Sequence, residues 1–318
     1  MANILTPDEF KQRHGQLFSK RLITMVDEKS KKAKIVEECC AQGPVEWDAI
    51  NRLRARGAIE HVEVIGTTLI MDARLGEGEV RFGPVSKDTG GQALKSVHVK
   101  NGKVETTWIG LAGASVGVGA CLPQAEGVEM AEFIGDELVG GSRRVEIRIT
   151  TPLHRRLIIG IDDTDTKEKG ATWVLGLKLG REMPHGIFLN HKIIQLNPHA
   201  PQKTTNCAST AVAFAVKPEE VAPAVKWAKD FVSKGTYSDQ TCVSVFEGLD
   251  IPRKLVKYGA DAKEKILSIH DADHAAKENG VEIHEVTGRR GAIGAVAAIG
   301  CFDLGLYSAG LPEDFKQV

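Results

Sequence analysis

Apolar and polar positions along the first 150 residues fall mostly into short alternating runs, the pattern of half-buried strands. Residues 6–10, "TPDEF", predict a helix start: Thr6 can cap, Pro7 suits the first helical position and Glu9 completes a capping box. "KRLITMVDE" then reads as a strand. In "GPVEWDAINRLRARG", Trp47, Ile50 and Leu53 lie at helical spacing and Gly57 supplies a stop. Strands are expected in "AIEHVEVIG", "TTLIMDARL" and "EVRFGPV". "KSVHVKNGKVETTWIG" predicts a hairpin, because Asn101-Gly102 is the favoured two-residue turn between alternating strands. The glycines and alanines of "GLAGASVGVGACLPQAEG" suit either a tight packing contact or a phosphate-cradling loop. Packing is the favoured reading, since neither G-x-G-x-x-G nor a Walker pattern is present.

"RRVEIRITTPLHRRLIIGIDD" holds two strands separated near Thr151-Pro152, and the domain boundary is placed there, giving domains 1–152 and 153–318. Beyond it, "GATWVLGLKLGREM" is a helix with Trp173, Leu177 and Leu179 available for burial, and "GIFLNHKIIQLN" is a strand. "PHAPQKTTN" is a loop and "CASTAVAFAV" a strand. "KPEEVAPAVKWAKDFVSKG" is an amphipathic helix, "QTCVSVFEG" a strand, and "DAKEKILSIHDADHAAKENG" a single charged surface helix. "VEIHEV", "TGRRG" and "AIGAVAAIG" follow as strand, loop and small-residue helix. Helices and strands mix throughout, so the fold class is α/β with mixed α+β sheets: an N-terminal α+β domain of unassigned role, then an α/β region.

Composition narrows the function classes. With 41 basic against 42 acidic residues the net charge is −1, which argues against a broad polyphosphate-binding face. No apolar run reaches the length of a membrane span, and "MANILTPDEF" lacks the basic and apolar regions of a secretory signal. A cytoplasmic protein without a membrane partner is expected. The six cysteines contain no C-x-x-C and are read as small buried hydrophobes.

Three segments carry candidate chemistry. Strand residues 157–161 deliver Asp162 and Asp163 to a strand end, with Asp165 and Gly170 close behind. Carboxylates there, followed by a helix N-terminus, suit a hard ion such as Mg²⁺ and a nucleotide phosphate; an Asp-rich capped turn is the competing reading. In "LNPHAPQKTTN", Lys203 stands beside Thr204, Thr205 and Asn206, groups that suit phosphate oxygens. In "TGRRGAIG", Arg289 and Arg290 precede a helix, and arginine forks fit phosphate. His270 and His274, four apart, are read as part of a solvated charged face.

Taken in order, "GIDDTD", "LNPHAPQKTTN" and "RRGAIGAVAAIG" resemble three motifs of the archaeal tRNA agmatinylcytidine synthetases, over residues 155–300. The resemblance implies a kinase-like and a ferredoxin-like domain that use ATP. By matching position it implies Asp162, Asp163 and Asp165 as catalytic and metal-holding residues, with Thr172 and Lys203 also catalytic. Gly160, Gly170, Thr204, Asn206, Arg290 and Gly291 would contact the cofactor. Thr205 departs from the arginine of that family, and Arg289 from its glycine. Nothing after Gly300 matches that family's further nucleic-acid domain or zinc ribbon, and aromatic residues make up only 5%, so tRNA is not expected as a partner. The whole chain resembles methanogenesis marker protein 11 of methane-cycling archaea, on the order of "GLAGASVGVGACLPQAEG" and "GIDDTD". The expected function is ATP- and Mg²⁺-dependent activation of an acceptor by phosphoryl transfer or a ligase-like reaction, in maturation of methyl-coenzyme M reductase or modification of a cofactor. The alternatives are a non-catalytic nucleotide-binding assembly or activation factor for that reductase, and an RNA-modifying enzyme.

Overall fold

The computed structural model describes residues 4–82, 90–137 and 139–316. The chain divides into two units, Met1–His154 and Arg155–Val318. Both are mixed α+β, and their strands form three antiparallel sheets.

The first unit contains β1 (Ile4–Leu5), α1 (Pro7–His14), β2 (Ser19–Asp27), β3 (Lys32–Cys39) and α2 (Gln42–Ala55). These are followed by β4 (Ile59–Ile65), β5 (Thr68–Arg74), β6 (Gly76–Glu77), β7 (Gly91–Lys100), β8 (Lys103–Leu111), β9 (Met130–Phe133) and β10 (Arg144–Pro152). One sheet has the order β1-β9-β10-β8-β7-β6 and the other β2-β3-β5-β4. The Thr6 capping box forms as its sequence dictates, with the Glu9 amide on the Thr6 hydroxyl and the Thr6 amide on the Glu9 carboxylate. Asn101 and Gly102 both adopt positive φ, 52° and 73°, as the tight turn between β7 and β8 requires. The strand expected over 79–85 runs into residues outside those described.

Helix α2 forms where the spacing predicts a helix, with that apolar period turned outward. Trp47, Ile50 and Leu53 are exposed, and the buried face carries Val45, Asp48, Ala49 and Arg52. Arg52 is fully buried and its guanidinium binds Glu37 Oε2 at 2.6 Å and Asp48 Oδ2 at 3.1 Å, with Gln92 Oε1 accepting from Nε at 3.1 Å. A charged network has taken the core side of the helix, which no hydrophobic count can foresee.

The second unit contains β11 (Arg155–Asp162), α3 (Thr172–Glu182), β12 (Ile187–Gln195), β13 (Ala208–Val216), α4 (Val221–Gly235) and β14 (Cys242–Glu247). Then come α5 (Arg253–Glu264), α6 (Ile269–Asn279), β15 (Val281–Glu285) and α7 (Ala292–Gly300). The sheet order is β12-β13-β11-β14-β15. The single charged helix expected over 261–280 is two helices. Ser268 and Asp271 form a capping box that starts α6 afresh. Helices α5, α6 and α7 pack on one face of the sheet, α3 and α4 on the other. Leu179 is buried in α3, whereas Trp173 stays 43% exposed. Among the described residues no helix is long and apolar enough to cross a membrane.

Candidate functional site: a charged cavity at one end of the second sheet

Antiparallel pairing gathers the site. Asp162, the last residue of β11, lies opposite Cys242, the first of β14, and Ile161 lies opposite Thr210 near the start of β13. Glu285, the end of β15, is likewise opposite Cys242. Loops 163–171, 196–207, 236–241 and 286–291 therefore open at the same end of the sheet.

Alternation along β11 decides what faces α7. Leu157, Ile159 and Ile161 pack on the α3–α4 side. Ile158, Gly160 and Asp162 meet α7, and a Cβ on Gly160 would lie 2.1 Å from the Ala295 carbonyl oxygen. Gly294 shows the same closeness: its Cβ would fall 1.9 Å from Asp162 Oδ2. The small residues of α7 thus let its backbone lie on the strand and carry Arg290 and Gly291 to the aspartates. Gly291 packs on the Asp162 carbonyl and the Cys242 amide.

The three aspartates have different partners. Asp163 sits at φ 59°, and its carbonyl accepts from Thr241 Oγ1 at 2.6 Å. Its carboxylate takes Ser238 Oγ at 2.8 Å, Arg290 Nε at 2.6 Å and a second Arg290 nitrogen at 3.2 Å. Asp165 accepts from Thr172 Oγ1 at 2.9 Å and Thr204 Oγ1 at 3.2 Å. Thr172, buried at the first turn of α3, also receives the Thr164 amide at 3.3 Å. The residue before it, Ala171, offers no side-chain cap, so α3 presents an uncapped N-terminus beside Asp165. Asp162 is held differently. Burial, then the charges of Asp163 and Asp165, lift its carboxyl well above the usual carboxylate range, with Arg290 pulling the other way. It is the group of the three most in need of positive charge.

These side chains line a cavity of about 130 Å³, several times the room one water needs. Asp162, Asp163, Asp165, Lys203, Thr204 and Arg290 all border it. Leu196, Ala262, Ile266, Leu267 and Ile293 supply an apolar wall. Of the other candidates, Thr172 reaches the cavity through Asp165, and Gly160 and Gly291 lie behind it as packing positions. Gly170, at φ 91°, turns the chain under the Tyr237 ring. Asn206 is exposed, and its carbonyl accepts from Gln195. Sequence reasoning missed Ser238, Gln240 and Thr241, which hold Asp163 and the 290–291 turn. The signal was "TYSDQT", a polar run entering a strand that must pair with β11. It also missed Cys207, which lines the cavity with its thiol pushed up to about 11, first by burial and then by Asp162.

Among the described residues no three His, Cys, Asp or Glu side chains are arranged to hold a metal by themselves. Mg²⁺ commonly uses one or two carboxylates and completes its shell with water and phosphate. Asp162 and Asp165 fit that role, while Asp163 is occupied by Arg290. Asp271 and Asp273 serve elsewhere: Asp271 caps α6 and Asp273 pairs with Arg289 at 2.5 Å.

Residues 158–222, which carry the aspartates and Lys203 of this cavity, match the family model described as the TiaS TCKD domain. The chain is 38% identical over 152 residues to the tRNA 2-agmatinylcytidine synthetase TiaS of Thermococcus sibiricus, covering 46% of this chain and 35% of that one. It is 31% identical over 150 residues to the TiaS of Pyrococcus horikoshii. It spans about a third of the length of these curated synthetases. A solved complex of TiaS with its tRNA and ATP is similar at 25% identity and a TM-score of 0.42, covering 46% of this chain and 36% of that one. By sequence, the second unit resembles the synthetases. The chain as a whole belongs to the family of the uncharacterized protein MJ0921 of Methanocaldococcus jannaschii, with which it shares 35% identity over 301 residues, 93% of this chain and 98% of that one.

The expectation that tRNA is not a partner is overturned by these relatives, which are named as tRNA 2-agmatinylcytidine synthetases. Net charge and aromatic content average over the whole chain and say little about one face. The reductase partner expected in its place finds no counterpart in them.

Proposed function

We propose that the second unit binds ATP with Mg²⁺ and activates a nucleotide of an RNA acceptor by phosphoryl transfer. The observation that carries this reading is the convergence of Asp162, Asp165, Lys203 and Arg290, from three separate loops, on one cavity with an apolar wall. The wall suits a base and the charged side suits phosphates. Asp162 and Asp165 would hold the metal, whose role is to neutralise phosphate charge. Thr172 and Thr204 fix the orientation of the Asp165 carboxylate, each donating to one of its oxygens. Lys203 and Arg290 offset charge developing on the transferred group, and the uncapped α3 N-terminus adds backbone donors. Arg290 must first exchange Asp163 for phosphate. The RNA acceptor is supported by the relationship to the synthetases, and the order of "GLAGASVGVGACLPQAEG" and "GIDDTD" supports membership of the methanogenesis marker protein 11 family.

A second reading, nucleotide binding without chemistry, is favoured by Thr205 at the position of the synthetase arginine and by the Arg290–Asp163 pair. Calorimetry with ATP and Mg²⁺, followed by product analysis with and without tRNA, separates the two. Asp162→Ala should abolish Mg²⁺-dependent turnover while circular dichroism stays unchanged. Turnover at the wild-type rate in that variant would sink the phosphoryl-transfer reading, and binding without product would favour the second.

A further inference from the structure

The first unit contains a cleft of about 550 Å³, within the range of small-molecule sites. Its walls are mainly apolar, from Phe18, Trp47 and Val116, and the glycine-rich segment at Gly113 and Gly117 forms its rim. Asp48 and Gln92 supply its polar end. Both are nearly inaccessible, 3% and 1% exposed, and they bond to each other through the Gln92 amide and an Asp48 oxygen. Gly117 packs closely on this end: a Cβ there would stand 2.8 Å from Gln92 Nε2.

The charge beneath this end does not balance. Glu37 and Asp48, both buried, share one guanidinium, that of Arg52. Among the described residues their other partners are neutral: the Ser19 hydroxyl, the Gln92 amide and the thiols of Cys39 and Cys121, both raised by burial first. An unmatched buried carboxylate is costly, and it is relieved by a proton or by a cation arriving from outside. The side chains lining the cleft offer a metal ion the oxygens of Asp48 and Gln92 alone, the rest being apolar. An organic cation needs fewer: one carboxylate for its charge, and aromatic rings for its body and for cation–π attraction. Trp47, 62% exposed on α2, stands at the cleft with Phe18 to supply them.

We propose that this cleft binds a small organic cation of the alkylamine class, with its ammonium group at Asp48 and its carbon chain along Trp47 and Phe18. The site lies within the first unit and does not depend on the ATP reading of the second.

The test titrates the full chain, without ATP, with n-butylamine, 1,4-diaminobutane and the uncharged n-butanol, following heat and tryptophan fluorescence. At least one amine should bind saturably and raise the melting temperature, and butanol should not. Asp48→Asn should weaken amine binding at least about tenfold, because the neutral amide cannot match the charge. Trp47→Ala, an exposed position that leaves the buried network intact, should weaken it by a smaller factor and keeps the test decisive if Asp48→Asn does not fold. Equal binding of butanol and amines, no saturable binding by either amine, or full amine affinity in Trp47→Ala would overturn the proposal.

Discussion

In the first unit, Glu37, Asp48 and Arg52 come from β3 and α2 and are almost wholly buried, each 4% exposed or less at the side chain, with Asp48 bordering the cleft. In the second, Asp162, Asp163 and Asp165 crowd a strand end that opens into a cavity, and the cations that answer them, Lys203 and Arg290, arrive on distant loops. The first group is dispersed in sequence and tightly bonded in space. The second is dense in sequence, yet its members turn to different partners and leave Asp162 short of positive charge. In this chain the charge cluster visible in the sequence stands at an open cavity. A charge network that serves the fold is assembled from single residues that look ordinary one at a time.

The sharpest way to break this contrast is Arg52→Met. Methionine fills much of the volume, but Glu37 and Asp48 lose their guanidinium, and breaking a buried pair from one side costs about 3–5 kcal/mol. Urea unfolding should record that loss, with Trp108 as a local reporter because the Arg52 guanidinium lies 4.8 Å from its ring. A loss below about 1 kcal/mol would mean the network is not a fixture of the fold. No comparable destabilisation is expected from Asp162→Asn, which removes a charge that its surroundings already disfavour.

Next in size is a pair of glycine substitutions. Gly294→Ala drives a Cβ to 1.9 Å from Asp162 Oδ2, with Leu196 also close at 2.9 Å. Neither α7 nor β11 can retreat easily, since the backbones are already in contact at Gly160, so overpacking of about 1–3 kcal/mol is expected along with weaker Mg²⁺-ATP binding. Gly117→Ala in the first unit meets only the end of the Gln92 side chain, at 2.8 Å, which can move at smaller cost. Thermal melts of the two variants should rank in that order, and the reverse ranking would remove the case that α7 is pinned against Asp162.

Much of the fold was legible because local chemistry and pattern agree. Thr6 and Glu9 cap α1, Asn101-Gly102 turns the β7–β8 hairpin, and β11, β13 and β14 are apolar on both faces because helices cover both. At α2 the helix was legible and its buried face was not: Trp47, Ile50 and Leu53 keep a helical period on the outer side because the inner side holds ions. Pattern misled at 261–280, where the capping signal Ser268–Asp271 lay inside a continuous charged run. At the site, Asp162, Lys203 and Arg290 were legible as motif residues. Their supports were not: Ser238 and Thr241 belong to no period or motif, and only the register of β14 against β11 explains why they meet Asp163.

The smallest effect separates the two charge groups by pH and metal. Burial and neighbouring carboxylates raise Asp162 in the folded state, and burial raises Asp48 in the same direction. A carboxyl raised on folding binds its proton more tightly in the folded state, so its contribution to stability is complete below the unfolded value of about 4. That contribution is lost as pH climbs from there through the folded value, at no more than about 1.4 kcal/mol per pH unit for one proton. Without metal, the melting temperature should therefore fall as pH rises above about 4 through these two groups, and Asp162→Asn should flatten part of the fall. Mg²⁺ with a non-hydrolysable ATP analogue should flatten the same part in the wild type, because binding needs the deprotonated carboxylate and more of it exists at higher pH. The part that remains belongs to Asp48, which Mg²⁺ does not reach and a cationic amine would. If Mg²⁺ and the analogue leave the pH dependence of the wild type unchanged while Asp162→Asn alters it, Asp162 is a buried acid of the fold, and the contrast between the two units disappears.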